Sequence, residues 1–132
     1  MKEPIWIDQR DLLTLHDRLL ASHGGAQGVR DSNLLKSALA RSQQYYAYTA
    51  KPDIIHMATL YTAGIVRNHP FVDGNKRAGF VIGILFLELN RCRFTATEED
   101  AAQAVLNLAA GTLDEAGYTA FLRANVSRER RR

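Results

Sequence analysis

Apolar residues recur every three to four positions through most of the chain, and short polar, glycine or proline breaks divide them into segments of helical length. Asp8 stands as an N-cap before the stripe Leu12, Leu15, Leu19, which predicts a helix to about Ser22. His23-Gly24-Gly25-Ala26-Gln27-Gly28 breaks it, and a glycine-rich loop runs on to Asp31. Asp31 or Ser32 caps a second helix with Leu34, Leu35, Ala38 and Leu39 facing inward. Lys51-Pro52 closes it, because the residue before proline disfavours helix. Asp53 opens a third helix to about Val66, with Ile54, Met57, Ala58, Tyr61 and Ile65 at helical spacing. A polar interruption follows, then a fourth helix from about Asn75 to Asn90. Thr97-Glu98-Glu99-Asp100 and Thr112-Leu113-Asp114-Glu115 have the spacing of capping boxes. They predict two more helices, one ending at Gly111 and one running towards Val126. Ile5-Trp6-Ile7, ahead of them all, reads as a strand-like segment or a hydrophobic staple. The pattern predicts an all-α fold, a bundle of about six helices in orthogonal or irregular packing.

Bulk properties narrow the class. At 132 residues the chain is expected to form a single domain over residues 1–126, followed by a basic, disordered tail at 127–132. The single cysteine, Cys92, cannot form an internal disulfide and fits a reducing cytoplasm. No secretory signal is evident, since Lys2, Glu3 and Asp8 precede any apolar stretch. The longest apolar run, Ala78 to Leu89, is shorter than the roughly 20 residues that span a bilayer, so no membrane association is expected. The net charge of +3 comes largely from Arg128, Arg130, Arg131 and Arg132. A solvated terminus explains them more simply than a nucleic-acid contact, for no aromatic residue interleaves with them.

The polar interruption carries the chemistry. It reads His69-Pro70-Phe71-Val72-Asp73-Gly74-Asn75-Lys76-Arg77 and sits where the fourth helix begins. Helix N-termini present unpaired N–H groups and the positive end of the macrodipole, a ready site for phosphates. His69 is the natural general base, because its unperturbed pKa lies near working pH. Pro70 holds it off the preceding helix, on a loop mouth. Asp73 suits a magnesium ion, which takes a carboxylate, phosphate oxygens and waters. It also suits an N-cap, and one residue can do both. Gly74 permits close approach or a positive φ. Asn75, Lys76 and Arg77 add donors, and Arg67 stands two residues ahead of the base. A solvated face would account for Lys76 and Arg77, but cations in a first turn oppose the dipole, which favours an anionic partner. Phe71 reads as a core anchor, and His16, His23 and His56 as ordinary structural or surface histidines. Of Tyr45, Tyr46 and Tyr48, at least one is expected at the surface, because they cannot share one helix face. That cluster and the loop at 24–31 are candidate contact surfaces.

The nine residues resemble the Fic/Doc superfamily signature HPFx(D/E)GN(G/K)R, and Lys76 resembles the Doc toxin branch, where adenylylating Fic enzymes carry glycine. His16-Asp17, Gly24-Gly25, Gly28-Val29-Arg30-Asp31, Leu34 to Arg41 and Phe86 to Asn90 extend the similarity across residues 5–125. The resemblance implies a Fic-type helical bundle that transfers the γ-phosphate of ATP or another nucleoside triphosphate to a threonine of elongation factor Tu, arresting translation. It also implies neutralisation by a partner antitoxin. By motif position, His69 would be the base and Asp73 the Mg2+ ligand. Gly74 and Asn75 would line an anion hole, and Lys76, Arg77 and Arg67 would bind phosphates. Phe80 stands where many Fic enzymes carry a second arginine. No glutamate is followed by glycine or asparagine, so the self-inhibitory (S/T)xxxE(G/N) helix is missing and control is expected in trans. Two other readings compete with the kinase: a nucleotidyl transferase of the Fic type, and a non-catalytic module using the basic tail on nucleic acid. A toxin that represses transcription only together with its antitoxin is a further possibility.

Overall fold

A computed structural model describes residues 2–129. Six helices carry the fold: α1 (Gln9–His23), α2 (Ser32–Tyr48), α3 (Ile54–Asn68), α4 (Asn75–Leu89), α5 (Glu98–Ala110) and α6 (Glu115–Ala124). β1 (Cys92–Phe94) and β2 (Val126–Arg128) form a two-stranded antiparallel sheet with Phe94 opposite Val126. The all-α expectation and the predicted order of helices hold, with ends within two residues. Asp8, Asp31, Asp53 and Thr97 cap as the sequence indicates, and Asp8 closes a reciprocal capping box with Asp11.

α3 is the axis. Every residue from Met57 to Val66 is buried, as expected of a helix that is apolar on all sides. Small residues set how closely its neighbours approach. A Cβ on Gly64 would stand 2.9 Å from the Cβ of Ala38 on α2. On α4, a Cβ on Gly79 would stand 2.6 Å from Cγ2 of Val66, and one on Gly83 2.2 Å from Oγ1 of Thr62. Thr62 uses the contact, donating its hydroxyl to the Gly79 carbonyl at 2.8 Å. Ser42 does the same from α2, donating to the Met57 carbonyl at 2.7 Å. On the α6 side Thr119 donates to Thr59 at 2.7 Å.

Three expectations are corrected, and one element was not expected. Ile5-Trp6-Ile7 pairs with no strand. Instead Asn90 brackets Ile5, its amide oxygen accepting the Ile5 N–H at 2.8 Å and its Nδ2 donating to the Ile5 carbonyl at 3.0 Å. The Ile7 N–H reaches the Tyr61 hydroxyl at 3.2 Å, so the segment is pinned by side chains rather than a ladder. The tail expected from 127 begins in order, because Ser127 and Arg128 lie in β2 and the Glu129 N–H donates to the Arg91 carbonyl at 2.9 Å. Arg130, Arg131 and Arg132 lie outside the described residues. The cap of α6 is Asp114, accepting from the Gly117 N–H, while Thr112 donates back to the Asn107 carbonyl. The sheet itself had no alternating pattern to announce it. Of the three tyrosines, Tyr45 and Tyr46 are half-buried and Tyr48 is 91% exposed. No described helix is long and apolar enough to cross a membrane.

The close contact makes a measurable prediction. Alanine inside a helix normally gains about 1 kcal/mol over glycine, whereas overpacking costs about 1–3 kcal/mol. With a hydroxyl 2.2 Å from the new carbon, overpacking wins at Gly83. Gly83→Ala should lower stability by up to about 2 kcal/mol, read as a lower urea midpoint at unchanged slope; a raised midpoint would refute the backbone-to-backbone packing.

Candidate active site at the start of the fourth helix

Because α3 and α4 touch along Gly79 and Gly83, the connection between them is short, and it holds residues 69–74. His69 is the C-cap of α3 in left-handed conformation (φ 51°, ψ 57°), its N–H bonded to the Ile65 carbonyl at 3.1 Å. This position normally suits glycine, so the backbone at the proposed base is strained. Its side chain is exposed, while Pro70 and Phe71 turn inward and are buried.

Phe71 is the anchor the sequence suggested. Asn75 grips its backbone from both sides: the side-chain oxygen accepts the Phe71 N–H at 3.0 Å and Nδ2 donates to the Phe71 carbonyl at 3.0 Å. The Asn75 oxygen and one of its two amide hydrogens are therefore committed to the loop. The Phe71 ring stacks on His16 from α1, with centroids 3.7 Å apart and planes 8° from parallel. His16 is 3% exposed. Its Nε2 lies 2.8 Å from the Asp73 carbonyl, which can only accept, so that nitrogen carries the hydrogen.

The loop at 24–31 backs the motif with its main chain. Val29 and Phe71 form an antiparallel bridge, the Val72 N–H donates to the Gly28 carbonyl, and the N–H groups of Arg30 and Asp31 both donate to the Pro70 carbonyl. The Arg30 guanidinium reaches the end of α3, donating from Nε to the His69 carbonyl at 2.7 Å and from Nη2 to the Asn68 carbonyl at 2.8 Å. Asp73 accepts the Ala26 N–H at 3.1 Å and the Gly74 N–H at 2.8 Å. Gly25 must be glycine, since φ is +123° and a Cβ would stand 2.9 Å from an Asp73 carboxylate oxygen.

Asp73 is thus not the N-cap of α4, contrary to one of the sequence readings. Gly74 occupies the cap at φ 77° and supplies no side-chain acceptor, so the first-turn N–H groups have no side chain to satisfy them. Lys76 and Arg77 project from that turn and Arg67 from the last turn of α3, all exposed. Arg77 is near enough to Asp73 to favour its charge. Lys76 and Arg77 also rim an apolar groove of about 680 Å³ lined by Phe80, Val81, Ile84, Phe94 and Val105. Phe80 meets Phe94 edge-on at 5.8 Å, so apolar surface lies where a second arginine was absent from the motif.

A family model described as the Fic/DOC family matches residues 6–87. The chain belongs to the Fic/DOC family. It is 31% identical over 84 residues to "Protein kinase doc" of Escherichia phage P1, covering 64% of this chain and 67% of that protein. It is 34% identical over 104 residues to "Toxin Doc" of Mycolicibacterium smegmatis, covering 77% and 78%.

Within this Fic/DOC chain, sequence reasoning missed the part played by His16 and Arg30. His16 lies on the buried edge of α1 with Leu12 and Leu20, four residues from each, and that spacing is the signal in the sequence that it faces the core. Arg30 had none, for its role depends on where the loop folds back. A divalent ion fits the donor set in one way only. Among the described residues no three His, Cys, Asp or Glu side chains gather as a cage, but magnesium needs only one or two carboxylates beside substrate phosphates. Asp73 offers an exposed carboxylate with lone pairs beyond the two it uses.

The Ala26 N–H, then the Gly74 N–H and the Arg77 charge, hold the Asp73 carboxyl below its ordinary value of 3.8. A lowered folded-state pKa means that the loop contact stabilises fully above pH 3.8 and is lost as pH falls through the lowered value. In a carbon-13 carboxyl titration, Asp73 should titrate below 3.8, and the Ala26 amide shift should move with the same midpoint. A midpoint above that value would show that the carboxylate does not hold the loop.

Proposed function

We propose that this chain is the toxin of a toxin–antitoxin pair. It transfers the γ-phosphate of ATP or a related nucleoside triphosphate to a threonine hydroxyl of elongation factor Tu. The observation that carries the reading is the geometry of one short loop. An exposed histidine stands at its start, and an N-terminus with no side-chain cap, bearing Lys76 and Arg77, stands at its end. The relatives named as a kinase and as a toxin support the same direction.

The chemistry divides among the residues. His69 accepts the proton of the attacking hydroxyl. The first-turn N–H groups of α4 from Asn75 onward, with Lys76, Arg77 and Arg67, hold the phosphates and offset their charge, while the Gly74 N–H stays bonded to the Asp73 carboxylate. Asp73 would hold magnesium against those phosphates, where the ion supplies charge neutralisation. Lys76 places bulk and charge where glycine would leave room for nucleotidyl transfer, and Phe80 adds no further phosphate donor. Both favour loss of the terminal phosphate over adenylylation. With no glutamate of the self-inhibitory pattern in the chain, restraint falls to an antitoxin binding in trans.

Label from γ-labelled ATP should pass to elongation factor Tu in a cell extract with Mg2+, and His69→Ala should lower the rate by at least about 100-fold. Label arriving from the α-phosphate instead would overturn the kinase reading in favour of nucleotidyl transfer. Transfer to a different protein would overturn the assignment of the target.

A further inference from the structure

We infer that Arg30 and His16, which stand outside the motif, form a two-point clamp that positions the base and the carboxylate. The inference rests on the proposed roles of His69 and Asp73. Each clamp residue grips the backbone carbonyl of the residue that bears the chemistry: Arg30 that of His69, His16 that of Asp73. Each acts on the main chain of the residue that bears the chemistry rather than on a reacting atom, so both are positioning residues.

Arg30 answers a specific problem. A left-handed backbone at a residue other than glycine persists only when its surroundings over-determine it. The last carbonyls of a helix also lack partners inside the helix. The guanidinium fork spans the successive carbonyls of Asn68 and His69 at 2.8 and 2.7 Å, and places a cation at the negative end of α3. A lysine ammonium, a point charge, cannot reproduce that two-carbonyl geometry. The backbone of the same residue donates to Pro70 at 2.7 Å, so strand-like pairing and side chain act on consecutive residues of the loop.

His16 acts at the other end. Stacked on Phe71 and 3% exposed, its ring has no space to swing away, and its Nε2–H points at the Asp73 carbonyl. That bond orients the peptide between Asp73 and Gly74, the turn that aims the first N–H groups of α4. With Phe71 gripped by Asn75 between the two points, the loop is held at its start, middle and end.

The test uses the full chain with Arg30→Met, Arg30→Lys, His16→Phe and His16→Gln. Displacements of about 1 Å at a site can cost about 100-fold in rate, so Arg30→Met and His16→Phe should lower kcat by about 10- to 100-fold. In Arg30→Met the KM for nucleotide should stay within about threefold, because the α4 N–H groups, Lys76 and Arg77 lie at the other end of the loop from His69. Arg30→Lys should not rescue. His16→Gln, which keeps a donor, should recover much of the rate lost in His16→Phe. A second readout needs no activity: backbone carbon shifts of His69 should leave left-handed values in Arg30→Met, and those of Asp73 should move in His16→Phe. If the wild-type chain transferred no phosphate the kinase reading would fail, while the shifts would still decide the clamp. Wild-type kcat in Arg30→Met and His16→Phe would overturn it, and so would motif shifts unchanged in the folded variants.

Discussion

Two helices of this protein touch almost backbone to backbone, and the site exists because they do. Gly79 and Gly83 present no side chain to α3, so Thr62 and Val66 settle against the α4 main chain and Thr62 bonds to the Gly79 carbonyl. The C-terminus of α3 and the N-terminus of α4 are thereby held side by side. Only six residues, 69–74, are needed to join them. A negative helix end and a positive helix end meet across that loop, with the proposed base on the first and the proposed anion donors of the first turn on the second. Larger residues at either glycine would separate the helices and, with them, the two halves of the chemistry.

The loop itself is over-constrained from three directions. Asn75 of α4 grips Phe71, His16 of α1 reaches the Asp73 carbonyl, and the loop at 24–31 pairs with Phe71 and supplies the Ala26 N–H to Asp73. Most of these bonds go to or from main chain, so they fix a path rather than select a ligand. What they leave exposed is a small set of side chains: His69, Asp73, Lys76, Arg77 and Arg67. First-turn N–H groups without a side-chain cap, with Lys76 and Arg77 beside them, leave donors that the protein itself does not pair, and under the proposed function an anionic ligand would take them.

Much of this was legible in the chain. Helical periodicity marked all six helices, and Asp8, Asp31, Asp53 and Thr97 marked their starts, because capping is a local interaction between residues two or three apart. The nine-residue motif placed an exposed histidine and a cationic helix start at the two ends of one loop, as the structure has them. The failures share a different cause. The pairing of Cys92–Phe94 with Val126–Arg128 joins segments more than thirty residues apart and too short to show alternation. The cap of α6 moved from Thr112 to Asp114 because Thr112 bonds back to Asn107, the C-terminal turn of the helix before. Asp73 looked like a cap by its place before the helix, yet Gly74 takes the cap and Asp73 turns to the loop at 24–31.

The sequence by itself therefore determined the helices, their order, the anchoring role of Phe71 and the identity of the groups that could move a proton or hold a phosphate. These follow from propensity, periodicity and side-chain chemistry, which act within a few residues. Tertiary structure alone decided that His16 is part of the site's frame and that Arg30 caps α3. Each of these is a bond between main chain and a side chain from elsewhere. A main-chain carbonyl carries no signature in the sequence to say which distant side chain will find it.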